Sequence, residues 1–362
     1  MTDPMPHQSR PAGGRRRRWL APIALGVAGT LLAACGGGGG SSSSAAGGSS
    51  GASGATQDVT FLNILPLASL TFTPDLVAQS CGYFKKHGLN VTFQTTQGSP
   101  PAIQTVLAGK ALLTRIGDLE VMQANGNKNA DLLSVGTVNK TTTIRFISAK
   151  NDPLSSAADL KDRLMGTPSA GGTSDQLVKL TAASAGIPVD QVKTQVVGLA
   201  PGVFDLVKSG RIGGYVVSLD TAALLAAQQP DAVVYNPSDA IKSGGQVYVT
   251  SQDQAKDPAK QDQLRKYLAA TSEAISFVQK DEASDFSGTM KCLQQFNIAA
   301  LKDPAVAKAT LKQYVESWTQ GGVLSTDAQT WQTVYKENVG SGFVPGGKDP
   351  SKWTTDQYLP NK

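Results

Sequence analysis

Six short loops hold most of the residues in this chain that could grip a small molecule. They are Ser69 to Phe72, Gly98-Ser99-Pro100, Gly117-Asp118, Gly171 to Ser174, Gly198 to Pro201 and Ser218 to Asp220. Each lies where a strand-like run gives way to a helical one, or just after a strand. Unpaired N–H groups at a helix start suit an anion or a carbonyl oxygen. One helix end contributes only about 0.3–1 kcal/mol, so several must converge for useful affinity. The candidate ligand contacts therefore form a set: Ser69, Phe72, Ser99, Arg115, Asp118, Gly172, Thr173, Ser174, Ala200, Ser218 and Asp220. Taken singly, each has an ordinary structural role. Ser99 and Thr173 suit helix capping, and so do Asp118 and Asp220. Arg115 is less routine, because it interrupts a strand built mostly of Leu and Ile. It either points to solvent or supplies a counter-charge in a cleft. Phe72 could stack on a ligand; Tyr215 could too, but suits a core better.

Catalysis has little to work with here. Beyond residue 35 the chain has one histidine, His87, placed with Lys85 and Lys86 just ahead of Gly88. That is a helix C-terminus, where cations and Gly serve as a stop. No G-x-S-x-G elbow sits between a strand and a helix, and no G-x-x-x-x-G-K-[ST] loop occurs. Two cysteines far apart, Cys81 and Cys292, with one histidine do not make a metal site. We therefore expect no enzyme activity, no cofactor and no metal.

The loops need a scaffold, and the chain carries it twice. Gly82 to Asp118 reads as helix end, strand, Gly-Ser-Pro-Pro, helix, strand and acidic loop. Gln191 to Asp220 has the same order of parts. Pro100 and Pro201 each open a helix that ends at a Gly, Gly109 or Gly210. A basic residue follows (Lys110, Arg211), then a strand, then Asp118 or Asp220. Strands alternating with helices predict parallel sheets in an α/β fold. Two such units predict two facing lobes, each a mainly parallel sheet flanked by helices, with a hinge where the chain crosses. The crossings are expected near 142–152 and 246–252. Lobe one then takes residues 59–147 and 250–362, including a helical C-terminal stretch, and lobe two takes 148–249. In open α/β sheets ligands bind at the carboxyl ends of strands, where the six loops fall. The tail after Gly340 is expected to wrap the surface.

The ends and the charge set the compartment. Of the 33 basic residues, five are arginines within the first 35 positions, against one acid there. The remainder holds 28 basic and 27 acidic residues, so nothing favours nucleic acid. Arg15 to Arg18, an apolar run from Leu20 to Leu32 and Ala33-Ala34-Cys35 have the parts of a signal peptide over 1–35. Leu32-Ala33-Ala34-Cys35 resembles the bacterial lipobox, which implies lipidation of Cys35. Residues 36–58 are Gly/Ser-rich and read as a flexible tether of roughly 25 Å reach. An exported chain permits a disulfide between Cys81 and Cys292; two separately buried thiols are the alternative.

Several motifs together resemble one family. Gly82-Tyr83-Phe84, Gly88-Leu89 and Val91 fit a GYF-x-x-x-GL-x-V block. Leu107-Ala108-Gly109 resembles an L-x-G helix end, and Ser155 to Lys161 resembles an S-x-x-DLKG entry to the second lobe. Gly198 to Gly210 looks like a second-lobe copy, one residue longer than Gly98 to Gly109. The chain thus resembles the nitrate/sulfonate/taurine-type substrate-binding proteins over residues 59–250. That resemblance implies the type II periplasmic binding fold and capture of a small anionic or polar organic ligand. It also implies delivery to an ABC permease with its ATPase. The protein would be monomeric, exported and lipid-anchored at a membrane face. The group shares its fold with pyrimidine synthases of thiamine biosynthesis, whose Cys-rich motif is missing here. This chain departs from the pattern at Leu112 and Gly213, where Asp is usual, and at Arg115, where the family has a small or apolar residue.

Overall fold

A computed structural model describes residues 56–360, and all that follows concerns them. Ten strands form two five-stranded sheets. The first sheet runs β2-β1-β3-β10-β4. Its strands are β1 (Gln57–Asn63), β2 (Leu89–Thr95), β3 (Leu113–Gly117), β4 (Leu132–Asn139) and β10 (Gln246–Ser251). The second runs β7-β6-β8-β5-β9, built from β5 (Ile144–Ala149), β6 (Leu164–Thr167), β7 (Lys193–Val196), β8 (Gly214–Ser218) and β9 (Ala232–Tyr235). The two orders match place for place. In each sheet three parallel strands are followed by one antiparallel strand, β10 or β5. The fold is thus a two-lobed α/β architecture, and the two β-α-β units occupy equivalent positions in their sheets.

The antiparallel strands lie next to the crossings, and here the structure moves two expected boundaries. β5 belongs wholly to the second sheet from Ile144, ahead of the boundary at 148. β10 belongs wholly to the first sheet from Gln246, ahead of the boundary at 250. The chain therefore crosses between Asn139 and Ile144 and again between Tyr235 and Gln246. β1 also begins at Gln57, inside the span read as tether. Glycine causes one further difference. The helix expected over 74–86 stops at Ser80 and restarts at Tyr83, because Gly82 takes a left-handed φ of 80°.

The C-terminal helices pack on the first sheet for reasons visible in their sequence. Asp257 caps the helix Pro258–Asp281 by accepting from Ala259 N (2.8 Å), with Pro at the first helical position. Leu264, Tyr267, Leu268, Thr271, Ile275 and Val278 recur every three or four residues and are all buried. Tyr267 stacks on Phe61 of β1 at 5.7 Å and meets Phe84 at 4.8 Å. Asp303 caps the helix Pro304–Thr319 in the same way. Cys81 and Cys292 are joined in a disulfide, with Cα atoms 5.9 Å apart and a sequence separation of 211. Closing so long a loop restricts the unfolded chain. The tail does more than wrap the surface: Thr355 N donates to Ser134 O at 2.9 Å and covers the β4 edge. Among the described residues no helix is long and apolar enough to cross a membrane.

Candidate functional site

Between the lobes lies a cavity of about 460 Å³. It opens where the strand ends of both sheets meet, and it is walled by residues of both. Ser69 and Phe72 come from the loop after β1. Thr173 and Ser174 open the helix Thr173–Ser184, and Ala200 precedes a turn of 3-10 helix. Ser218 ends β8, and Asp220 follows it. All seven line the cavity.

Asp220 ties the two lobes together. Its Oδ1 accepts from Ser69 Oγ at 2.8 Å and from Tyr314 OH at 3.1 Å. Its Oδ2 accepts from Leu70 N at 3.1 Å. Ser69 Oγ in turn accepts from Thr71 N at 3.3 Å, so its own proton goes to Asp220. Tyr314 has its hydroxyl pushed well above the ordinary range by burial and by Asp220, so it stays a donor. A second tie joins Thr173 to the first lobe. Glu120 Oε2 accepts from Thr173 Oγ1 and from Gly117 N (2.7 Å). Burial raises the Glu120 carboxyl, and the surrounding donors pull it back. A third contact needs glycine. At Gly98 φ is 97°, and a Cβ there would stand 2.7 Å from Ser169 Cβ across the cleft.

The structure places four of the expected contacts outside the cavity wall. Arg115 is 1% exposed and lies beneath the 69–72 loop. It donates to Thr71 O (2.6 Å), Thr71 Oγ1 (3.0 Å) and Gln246 Oε1. Its Nη1 is 3.7 Å from Asp75 Oδ2, and its Cζ stands 5.3 Å over the Phe72 ring. Asp75 Oδ1 accepts from Tyr248 OH at 2.6 Å and Tyr267 OH at 2.7 Å. Burial pushes the Asp75 carboxyl up, while Arg115 and the two tyrosines pull it down. Arg115 thus answers neither sequence expectation: it faces neither solvent nor cleft but an internal carboxylate. Asp118 is spent on the second crossing. It accepts from Leu119 N (2.6 Å), Gly244 N (2.9 Å) and Gly245 N (3.0 Å). Ser99 is fully buried, and Gly172 packs against Ser169. Tyr215 is fully buried.

Other wall residues escaped the sequence reading. Thr143, Ile144 and Gln246 stand at the two crossings, which the sequence did locate, so they could have been named. Ile64, Leu65 and Pro66 sit just before the loop already singled out. Asn297, Ala299 and Ala300 come from the C-terminal helical stretch, where no local signal marks them. Among the described residues, no group of His, Cys, Asp or Glu is arranged to hold a metal.

Comparison with known proteins follows the same outline. A family model described as NMT1/THI5 like matches residues 69–283. A riboflavin-binding protein, RibY of Chloroflexus aurantiacus, is 23% identical over 347 residues, covering 85% of this chain and 88% of its own. The alkanesulfonate-binding protein SsuA of Xanthomonas axonopodis pv. citri superposes with a TM-score of 0.61 at 15% identity, over 83% of this chain and 99% of that one. The desulfurization enzyme DszB has the same fold at a TM-score of 0.54 and 13% identity, over 83% and 97%. The fold is that of the periplasmic binding proteins. Binding proteins predominate among the neighbours named here, and one enzyme shares the architecture.

Proposed function

The chain belongs to the NMT1/THI5-like family, and from that premise we propose that it is an exported solute-binding protein of an ABC importer. It captures a small molecule between its two lobes and passes it to a permease driven by an ATPase. The observation that carries this reading is the cavity itself. Its walls come from both sheets and from both crossings, so closing the lobes completes it and opening them releases the contents. A volume of about 460 Å³ falls within the range of small-molecule sites. Lipid attachment at Cys35, which lies outside the described residues, would keep the body at the membrane face. The protein would act as a monomer. We propose no catalytic role. The wall offers hydroxyls, two side-chain amides and one carboxylate, but no Lys, His or Cys beside them.

On ligand class the relatives' names divide between a sulfonate and riboflavin. The nitrate, sulfonate or taurine expectation came from the family resemblance, and Arg115, the one candidate counter-charge named in the sequence, is engaged with Asp75. A thermal-shift screen of the mature chain is the test, with flavins, sulfonates, nitrate, pyrimidines and aromatic acids. A true ligand at a hundred times its Kd adds about 2.7 kcal/mol of stability and raises the midpoint. Titration calorimetry should then give one site per chain, and Leu224→Trp, which fills the cavity, should abolish the heat. A broad library with no hit would end the solute-binding reading.

A further inference from the structure

We infer that the cavity takes an uncharged, predominantly apolar organic solute, and that Asp220 is the residue that turns anions away. This rests on the solute-binding reading and narrows it. No Lys, Arg or His lines the cavity. The one charged group in the wall is Asp220. Both of its oxygens accept hydrogen bonds, as an ionised carboxylate does. An anion entering the cavity would meet that charge across a few ångströms of low-dielectric space.

The devices that usually hold anions are occupied. Two arginines lie behind the wall: Arg145 gives its Nη1 to Thr142 O and Ile144 O, and Arg115 lies beneath the 69–72 loop. Arg115's Nη1 and Nη2 donate to Thr71 and Gln246, its charge faces Asp75, and the Phe72 ring stacks against its guanidinium. The turn that starts at Leu70 gives its first amide to Asp220. Thr173 gives its hydroxyl to Glu120. At these two positions the chain supplies its own carboxylates where a bound anion could sit.

What remains suits a neutral molecule. Leu65, Pro66, Phe72, Leu199, Val217 and Leu224 give apolar surface. Ser218 and Thr221, whose hydroxyls lie 3.0 Å apart, can pair with an uncharged carbonyl or N–H, as can Gln246 and Asn297. A nitrate or taurine would leave most of about 460 Å³ to water. Burying an anion without a cation also carries a large desolvation cost.

The experiment uses matched pairs that differ only in charge: amide against carboxylate, and sulfonamide against sulfonate, on the same alkyl and aryl skeletons. Affinities of the mature chain are measured by titration calorimetry near neutral pH. We expect the uncharged member of each binding pair to bind at least tenfold more tightly than its anionic twin. Asp220→Asn should shrink that gap to threefold or less. Because Asp220 also ties the lobes, a second variant guards against misfolding. Thr221→Lys places a cation beside Asp220 and should raise affinity for the anionic twins at least tenfold. An anionic twin that binds wild type as tightly as its neutral partner overturns this inference and leaves the solute-binding reading intact. Unchanged selectivity in both variants removes Asp220 as the discriminator. If no member of any pair binds, the solute-binding reading falls and takes the inference with it.

Discussion

Arg115→Ala lowers the unfolding free energy by about 3–5 kcal/mol, while the double variant with Asp75→Asn recovers a large part of the loss. The magnitude is that of removing one partner from a buried pair. Arg115 and Asp75 are 1% and 0% exposed, and their charges compensate each other inside the first lobe. Without Arg115 the Asp75 carboxylate keeps two tyrosine donors but loses its counter-charge, and Thr71 O and Gln246 Oε1 lose a donor. Asp75→Asn removes the stranded charge. Denaturant midpoints of the three proteins measure the effect. The sign of its pH dependence is fixed as well. Burial already raises the Asp75 carboxyl, and loss of Arg115 raises it further. Stability from a raised carboxyl is present below its unfolded value and lost as pH rises through its folded value. The deficit of Arg115→Ala should therefore be smaller near about pH 5 than near about pH 8. A single variant as stable as wild type, but weaker for anions, would put Arg115 back in the cleft.

Arg115 also shows how far the sequence could be read. A charged residue inside a run of Leu and Ile was visible, and so was its oddity. Its partner was not, because Asp75 sits in the first turn of a preceding helix and looks there like an ordinary helix-start acid. The two β-α-β units were legible from Pro, Gly and Asp at repeated spacings, since those residues mark backbone geometry locally. They do become equivalent parts of matching sheets. The exact crossings were harder, because β5 and β10 are apolar runs that either lobe could bury. Seven loop residues reached the cavity wall because strand ends and helix starts point there in this class of fold. Asn297 and Ala300 reach it through tertiary packing of a segment far along the chain, which no local pattern records. Asp118 was legible as an acid at a helix start, yet its decisive partners, Gly244 and Gly245, lie over a hundred residues on.

That clamp gives the last expected result: Asp118→Asn removes a pH dependence of about 2–3 kcal/mol that wild type shows between about pH 5 and about pH 8. Burial raises the Asp118 carboxyl from 3.8 to about 7; three backbone amides hold it down, and nearby Glu337 pushes it up. The stability this group contributes is present below 3.8 and is lost as pH rises through about 7. Wild type should lose stability over that window, and the Asn variant should lack the Asp118 share of that loss. At the acid end, where both side chains are neutral, the variant should be weaker by about 1–3 kcal/mol, and it should gain on wild type as pH rises. Asparagine has one acceptor oxygen, so its NH2 would face the N–H of Gly244 or Gly245. Urea midpoints across a pH series read both effects, and parallel profiles for the two proteins would sink the assignment. The consequence reaches the hinge. Lys242 N and Ser243 N donate to Glu337 at 2.9 and 2.7 Å, so four successive amides of the second crossing are held by two carboxylates. Both carboxylates belong to helices packed on the first sheet, so this crossing is anchored to that lobe. Ile241 is buried in the second-lobe core, so the segment of this crossing left free to bend is the Ile241–Lys242 junction.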